Sequence, residues 1–199
     1  MTSSLLEESE LGESVRLADG APVTLREMRG DDIPRLRRLH TRLSRRTVYR
    51  RFMTPTPRLS ERTVAYFTDV DHLGREALVA TSGDDIVAVA QYHQTAGTTE
   101  AEVAILVEDA WQRRGVGRIL IKRLIERARR RGIRVFTGTM LSENPGALAL
   151  LRVFFPDAVT EVNGPELTFR ASLAPSGIRS LDPALFEPRS REAILPRSA

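Results

Sequence analysis

Six consecutive residues, Gln112-Arg113-Arg114-Gly115-Val116-Gly117, lie between an alternating apolar strand at 102–107 and a long basic amphipathic helix ending near Arg131. A strand, a turn with two glycines and a helix start bring several backbone N–H groups to one point, with the positive end of a helix dipole behind them. That arrangement suits a pyrophosphate. Gly115 and Gly117 let backbone and phosphate approach where a Cβ would hold them apart. Arg113, Arg114 and Arg118 stand close enough to favour a phosphorylated ligand. The segment is not a Walker loop, because no Gly-Lys-Ser/Thr follows. Nor is it a dinucleotide fingerprint: the third glycine is missing, and no acidic residue closes a second strand about 20 residues on.

The elements that must position this turn are legible in the patterning. A hairpin joins Val15-Arg16-Leu17 to Val23-Thr24-Leu25-Arg26 through Asp19-Gly20. Asp31 or Asp32 caps a helix with Ile33, Leu36, Leu39 and Leu43 on one side. A second helical stretch covers Val48 to Phe52, and a third, capped by Ser60, runs to about Phe67 after Pro55 and Pro57. Two apolar runs, 77–80 and 86–90, flank a Ser82-Gly83-Asp84-Asp85 turn as a hairpin, and 101–107 is the next strand. The helix after the glycines buries Leu120, Ile121, Leu124, Ile125 and Ala128. A strand at 135–140, a short helix opened by Asn144-Pro145, and a hairpin of 158–162 with 166–171 complete the order. Residues 1–12 read as a disordered tail, 13–173 as one α/β (α+β) domain, and 174–199 as a Pro/Arg/Ser-rich tail.

Composition narrows the class. With 199 residues the chain has room for one real core, and 41% apolar with 28% charged residues is ordinary for a globular protein. No run of 18 apolar residues exists and the N-terminus is acidic, so neither a membrane span nor a signal peptide is expected, and no membrane partner. There is no cysteine, which excludes thiolate catalysis and disulfides and suits a reducing cytoplasm. The net charge is +4, and Lys122 is the sole lysine. Nine arginines and one lysine stand against one acid between Arg113 and Arg134. Those near the turn serve a phosphorylated ligand, whereas Arg129, Arg130 and Arg131 suit a solvated helix C-terminus. Aromatics are not interleaved with the arginines, so no nucleic acid is expected despite a pI of 10.2.

The Q-x-x-G-x-G segment, together with this element order over residues 15–172, resembles the GNAT (GCN5-related N-acetyltransferase) superfamily. The resemblance implies a mixed, mostly antiparallel central sheet with a V-shaped splay, flanked by helices, and acetyl-CoA as cosubstrate without a metal. Pantetheine would lie in the splay against Ile105, Leu106 and Val107, and the pyrophosphate on the amides of Gln112, Arg113, Arg114, Gly115, Val116, Gly117 and Arg118. Asn144 matches the family asparagine that hydrogen-bonds pantetheine; its other reading is a plain N-cap. The acceptor amine must be neutral to attack, and only about one free lysine in 2,500 is so at pH 7. Glu102, among apolar neighbours on the splayed strand, is the candidate base, with Glu100 its competitor one pleat repeat away. The Val107 amide is the candidate oxyanion donor. The family's frequent tyrosine acid falls on Leu151, so no side-chain acid is evident.

Leu43-Ser44-Arg45-Arg46-Thr47-Val48-Tyr49-Arg50-Arg51-Phe52, with Glu76-Ala77-Leu78-Val79-Ala80, is similar to the Pat-type bacterial protein lysine acetyltransferases, in which this region helps form the acceptor side. Thr47 and Met53 stand where that motif carries Ser and Phe. The implied activity is N-acetylation of a primary amine, first a protein lysine, by direct attack in a ternary complex. A small-amine acetyltransferase and a CoA-binding interaction module are the alternatives, and a homodimer is compatible with each. The three histidines make no metal-ligand constellation; His93 ends a strand beside Gln91 and Tyr92, within reach of the acceptor cleft.

Overall fold

The computed structural model describes residues 12–56 and 58–174; the expected tails lie outside them, apart from Gly12 and Ala174. Apolar runs become strands and 3.6-periodic stretches become helices. In chain order these are β1 (Glu13–Arg16), β2 (Pro22–Glu27), α1 (Ile33–Arg42), α2 (Arg45–Phe52), α3 (Glu61–Thr68), β3 (Arg75–Ser82), β4 (Asp85–Gln94) and β5 (Glu100–Val107). They continue with α4 (Val116–Arg130), β6 (Val135–Leu141), α5 (Pro145–Phe154), β7 (Val159–Asn163) and β8 (Glu166–Ser172). One eight-stranded sheet runs β1-β2-β3-β4-β5-β6-β8-β7. Every neighbouring pair is antiparallel except β5 with β6.

Each helix start has a local cause. Ser44 and Ser60 cap α2 and α3 by accepting from the N–H of Thr47 and Thr63, each at 3.1 Å. Asp32 precedes α1 but does not cap it through its side chain. Its carboxylate is spent instead on the Arg26 guanidinium (2.6 and 2.7 Å) and the Arg29 N–H (3.0 Å), because a buried charge is held most strongly by a bidentate cation.

Two cores cover the two faces. On one, α4 lays Leu120, Ile121, Leu124, Ile125 and Ala128 across the strands, joined by Tyr92, Phe136 and Leu151. On the other, Leu36, Leu39, Phe52, Val64 and Phe67 from α1–α3 pack against Val79, Val89 and Leu106. Leu120 and Leu124 are fully buried, and each such side chain contributes about 1.5–3 kcal/mol. The start of α4 is thereby held fixed against the middle of the sheet.

Candidate active site at the fork between β5 and β6

The parallel pairing of β5 with β6 covers only Glu100–Val135, Ala101–Phe136 and Glu102–Thr137. Beyond Glu102 the two strands part. Gly138 makes the mouth of the fork passable: a Cβ there would fall 2.7 Å from the Phe169 ring and 3.1 Å from the Val103 carbonyl. The parity of β5 is fixed by its bonds to β4, since Glu108 N–H donates to Val87 and Thr95 N–H to Glu100, both at 2.9 Å. Even-numbered β5 residues therefore turn their main chain to β4, and Val103, Ile105 and Val107 turn theirs toward β6. No β6 residue pairs with Ile105 or Val107. This open edge is the V-shaped splay, and it is what a pseudo-strand ligand needs.

That parity corrects two expectations. Leu106 does not line the gap: its main chain faces Val89 on β4 and its side chain is buried in the α1–α3 core. Val107 lies five residues from Glu102, roughly 16 Å along a strand, too far to serve the same reacting carbonyl. The nearer gap-facing amide is that of Ile105.

Past β5 the chain makes a short turn over Asp109–Trp111 before the glycines. Arg113 is left-handed at φ 61°, and Gly115 is the α4 N-cap at φ 96°. The glycine at 115 is thus explained by backbone conformation, with nothing within 4 Å of its missing Cβ. Gly117 has a different cause: a Cβ there would come within 3.3 Å of Ile105 Cδ1 and 3.6 Å of Leu150 Cδ1, so α4 sits down on the open edge itself. The Ile119 N–H donates to the Gly115 carbonyl at 3.1 Å. The amides of Val116, Gly117 and Arg118, in the turn before it, have no helical acceptor and point out of the helix end.

Gln112, expected at the ligand, spends its side-chain amide within the protein. Its Nε2 donates to the Val107 carbonyl (3.0 Å) and to Thr47 Oγ1 (3.1 Å). Thr47 Oγ1 donates on to Asp109 (2.8 Å), which also takes the N–H and hydroxyl of Ser44 (2.9 and 2.7 Å). Burial pushes the Asp109 carboxyl up, but these donors outweigh it and hold it below the usual range. The Ser44/Thr47 motif therefore locks α2 to the glycine turn. Sequence reading missed Asp109, whose role depends on a partner more than 60 residues away.

Arg114 is likewise committed, to Asp19 in the β1–β2 turn at 2.5 Å and over the Trp111 ring at 4.2 Å. Asn144 caps α5, its Oδ1 accepting from Ala147 N–H at 3.3 Å, which leaves its amide NH2 directed elsewhere. Leu151 is buried in the core. Of the histidines, His72 does meet acids: its Nδ1 lies 2.8 Å from Glu76, and Glu27 is near. Arg127 bonds both carboxylates and fills the cation's place there.

At the apex of the fork the two candidate bases separate. Glu100 is held by the Arg170 guanidinium through both oxygens, one at 2.5 Å. Glu102 has no ion pair within the described residues. Burial pushes its carboxyl above the ordinary range, opposed by the charge of Arg51. Directly opposite on β4 stands His93, pulled down to about 4 chiefly by burial and stacked on Tyr66 with ring centroids 4.3 Å apart. His93 Nε2 and both polar atoms of the buried Gln91 side chain have no partner. A chamber of incompletely bonded polar groups thus borders the open edge.

An acetyltransferase (GNAT) family model matches residues 37–154, and the chain belongs to the GNAT acetyltransferase family. The GNAT domain of S. lividans PAT superposes with a TM-score of 0.75 at 31% identity, covering 83% of this chain and 98% of that one. Acetyltransferase Pat of Mycolicibacterium smegmatis is 32% identical over 136 residues, 65% of this chain and 40% of the relative. An acetyltransferase of Pseudomonas aeruginosa is 30% identical over 122 residues, 59% of this chain and 66% of the relative. The matched region thus spans less than two thirds of either curated relative. The protein is an acetyltransferase-family enzyme, and the family uses acetyl-CoA. No helix among the described residues is long and apolar enough to cross a membrane.

Proposed function

We propose that the protein transfers the acetyl group of acetyl-CoA to a primary amine, a protein lysine ε-amine, by direct attack with both substrates bound. The observation that carries this is the open β5 edge running from Glu102 into the unbonded amides at the start of α4. The main chain of Ile105 and the Val107 N–H hold the pantetheine arm as a missing strand. The amides from Arg113 to Arg118 receive the pyrophosphate, aided by Arg113 and Arg118, which have no ion pair among the described residues. The NH2 of Asn144 faces the same arm from the α5 side.

At the fork, Glu102 takes the proton from the incoming ammonium, directly or through one water, and frees the nitrogen lone pair. The nitrogen bonds to the acetyl carbon while the Ile105 N–H stabilises the charge developing on the carbonyl oxygen. The C–S bond then breaks and coenzyme A leaves as thiolate, its proton coming from water. Protein lysine is favoured by the 43–52 motif, which forms α2 beside the chamber, and by the 31% likeness to the S. lividans PAT domain.

The test is calorimetric titration with acetyl-CoA, then mass spectrometry of a lysate incubated with protein and acetyl-CoA. New acetyl-lysine on proteins supports the reading. Acetylation of small amines alone replaces the acceptor, and binding without any transfer leaves a coenzyme A-binding module.

A further inference from the structure

Arg51, in α2, has no place in the chemistry so far. Its guanidinium carbon lies 5.3 and 5.4 Å from the Phe52 and Phe67 ring centroids. Its Nε and Nη2 are shut from solvent and have no hydrogen-bond partner. These two atoms form the edge of the guanidinium that takes a carboxylate side-on through parallel N–H···O bonds. A buried cation with that edge empty is costly unless a counter-charge stands near. Solvent does not reach it, so the counter-charge comes from the protein, and the carboxylate whose charge meets it is Glu102.

The neighbours leave these two as the charges of the chamber. Tyr66, from α3, is a phenol that burial pushes up, so it is neutral in the working range. His93, from β4, titrates at about 4 and is neutral above it; Gln91, also from β4, carries no charge. Asp71 and Arg75 act on His93 from the chamber's outer side. Glu102 stands on β5 with no cation bonded to it, in surroundings that favour the protonated acid. A protonated Glu102 could not accept the proton of an ammonium.

We propose that Arg51 is a positioning residue for the base: its fixed charge, clamped between two phenyl rings, keeps Glu102 ionised and so sets the pH above which transfer runs. The same cation disfavours an ammonium beside it, which moves the acceptor amine toward its neutral form. Arg51 touches neither substrate. The proposal rests on the assignment of Glu102 as base.

Two neutral and conservative variants test it in the full chain. Arg51→Met removes the charge and keeps most of the stem; Arg51→Lys keeps the charge. In Arg51→Met the acid limb of kcat/KM moves to higher pH by about one unit, with acetyl-CoA affinity unchanged, while Arg51→Lys stays within about 0.3 units of wild type. An unmoved limb in a folded Arg51→Met protein overturns the proposal. Chemical denaturation of a double-mutant cycle separates this from the underlying reading. Arg51→Met costs more stability in wild type than in the Glu102→Gln background if the two charges are coupled. Equal costs overturn the pairing; coupled costs with an unmoved limb show that Glu102 is not the base. If Arg51→Met does not fold, Glu102→Gln restores the fold when the lost charge is the cause, and a double variant that still fails to fold reduces Arg51 to packing and overturns the proposal.

Discussion

Two polar clusters are buried along this sheet, and they are finished differently. At the end of α4, Glu76 meets His72, Arg127 and its neighbour's N–H at Ala77, and Arg127 also takes Glu27. Every charge there has a partner. At the fork, Glu102, Arg51, Gln91 and His93 carry buried polar atoms or charges without one. Burial of polar groups does not by itself mark a working site, because a satisfied network serves the fold as well. What separates the clusters is incompletion: the first closes on itself, the second closes only when something enters.

The largest effect that sharpens this contrast belongs to Glu102→Gln. Loss of the base lowers kcat/KM by about 100-fold or more, with acetyl-CoA binding retained in a calorimeter. Stability moves the other way. The Glu102 carboxyl is raised by burial, so its favourable contribution is complete below the ordinary glutamate pKa of about 4.3. It is lost as pH rises through the raised folded value. At neutral pH the carboxylate is therefore a cost, and Glu102→Gln unfolds at an equal or higher temperature than wild type. Activity follows the same limb in the opposite sense, rising as Glu102 ionises.

Next in size is the closed cluster. Glu76→Ala strips Arg127 and His72 of a carboxylate whose side chain is 2% exposed. A loss of about 3 kcal/mol is expected in denaturant titration, with kcat of the remaining folded protein unchanged. If Glu76→Ala instead abolished turnover and left stability intact, the division between the clusters would be wrong.

Smaller still is Gln112→Ala, which frees the Val107 carbonyl and unties Thr47 from the turn. About 1–2 kcal/mol of stability should go, with weaker acetyl-CoA binding as a consequence. Glu100→Gln is the smallest. Its pair with Arg170 is partly exposed, so less than about 1 kcal/mol and no change in pH profile are expected. A kinetic defect in Glu100→Gln matching that of Glu102→Gln would exchange their roles.

The helices and strands were legible because each is written locally. The α4 stripe Leu120, Ile121, Leu124, Ile125 and Ala128 is wholly buried, and the hairpins fall on their glycine turns. The glycine turn and the splay could be expected from the resemblance. What the sequence hid depends on register and distance. Strand parity decides that Ile105 faces the gap while Leu106 does not, and a shift of one residue would reverse it. Arg114 belongs to Asp19, Asp109 to Ser44 and Thr47, and Arg51 to the surroundings of Glu102, each across a long stretch of chain. No local spacing encodes those pairings. Glu100 and Glu102 look alike in the sequence until Arg170 is brought up by β8.

Backbone hydrogen exchange, resolved by residue with and without coenzyme A, tests the central claim most directly. Slowed exchange is expected at Ile105, Val107, Val116, Gly117 and Arg118, with Leu106 and Glu108 unchanged because β4 already holds them. Protection of Leu106 alone, or no change along β5 in a protein saturated with ligand, would contradict the fork as the cosubstrate's seat.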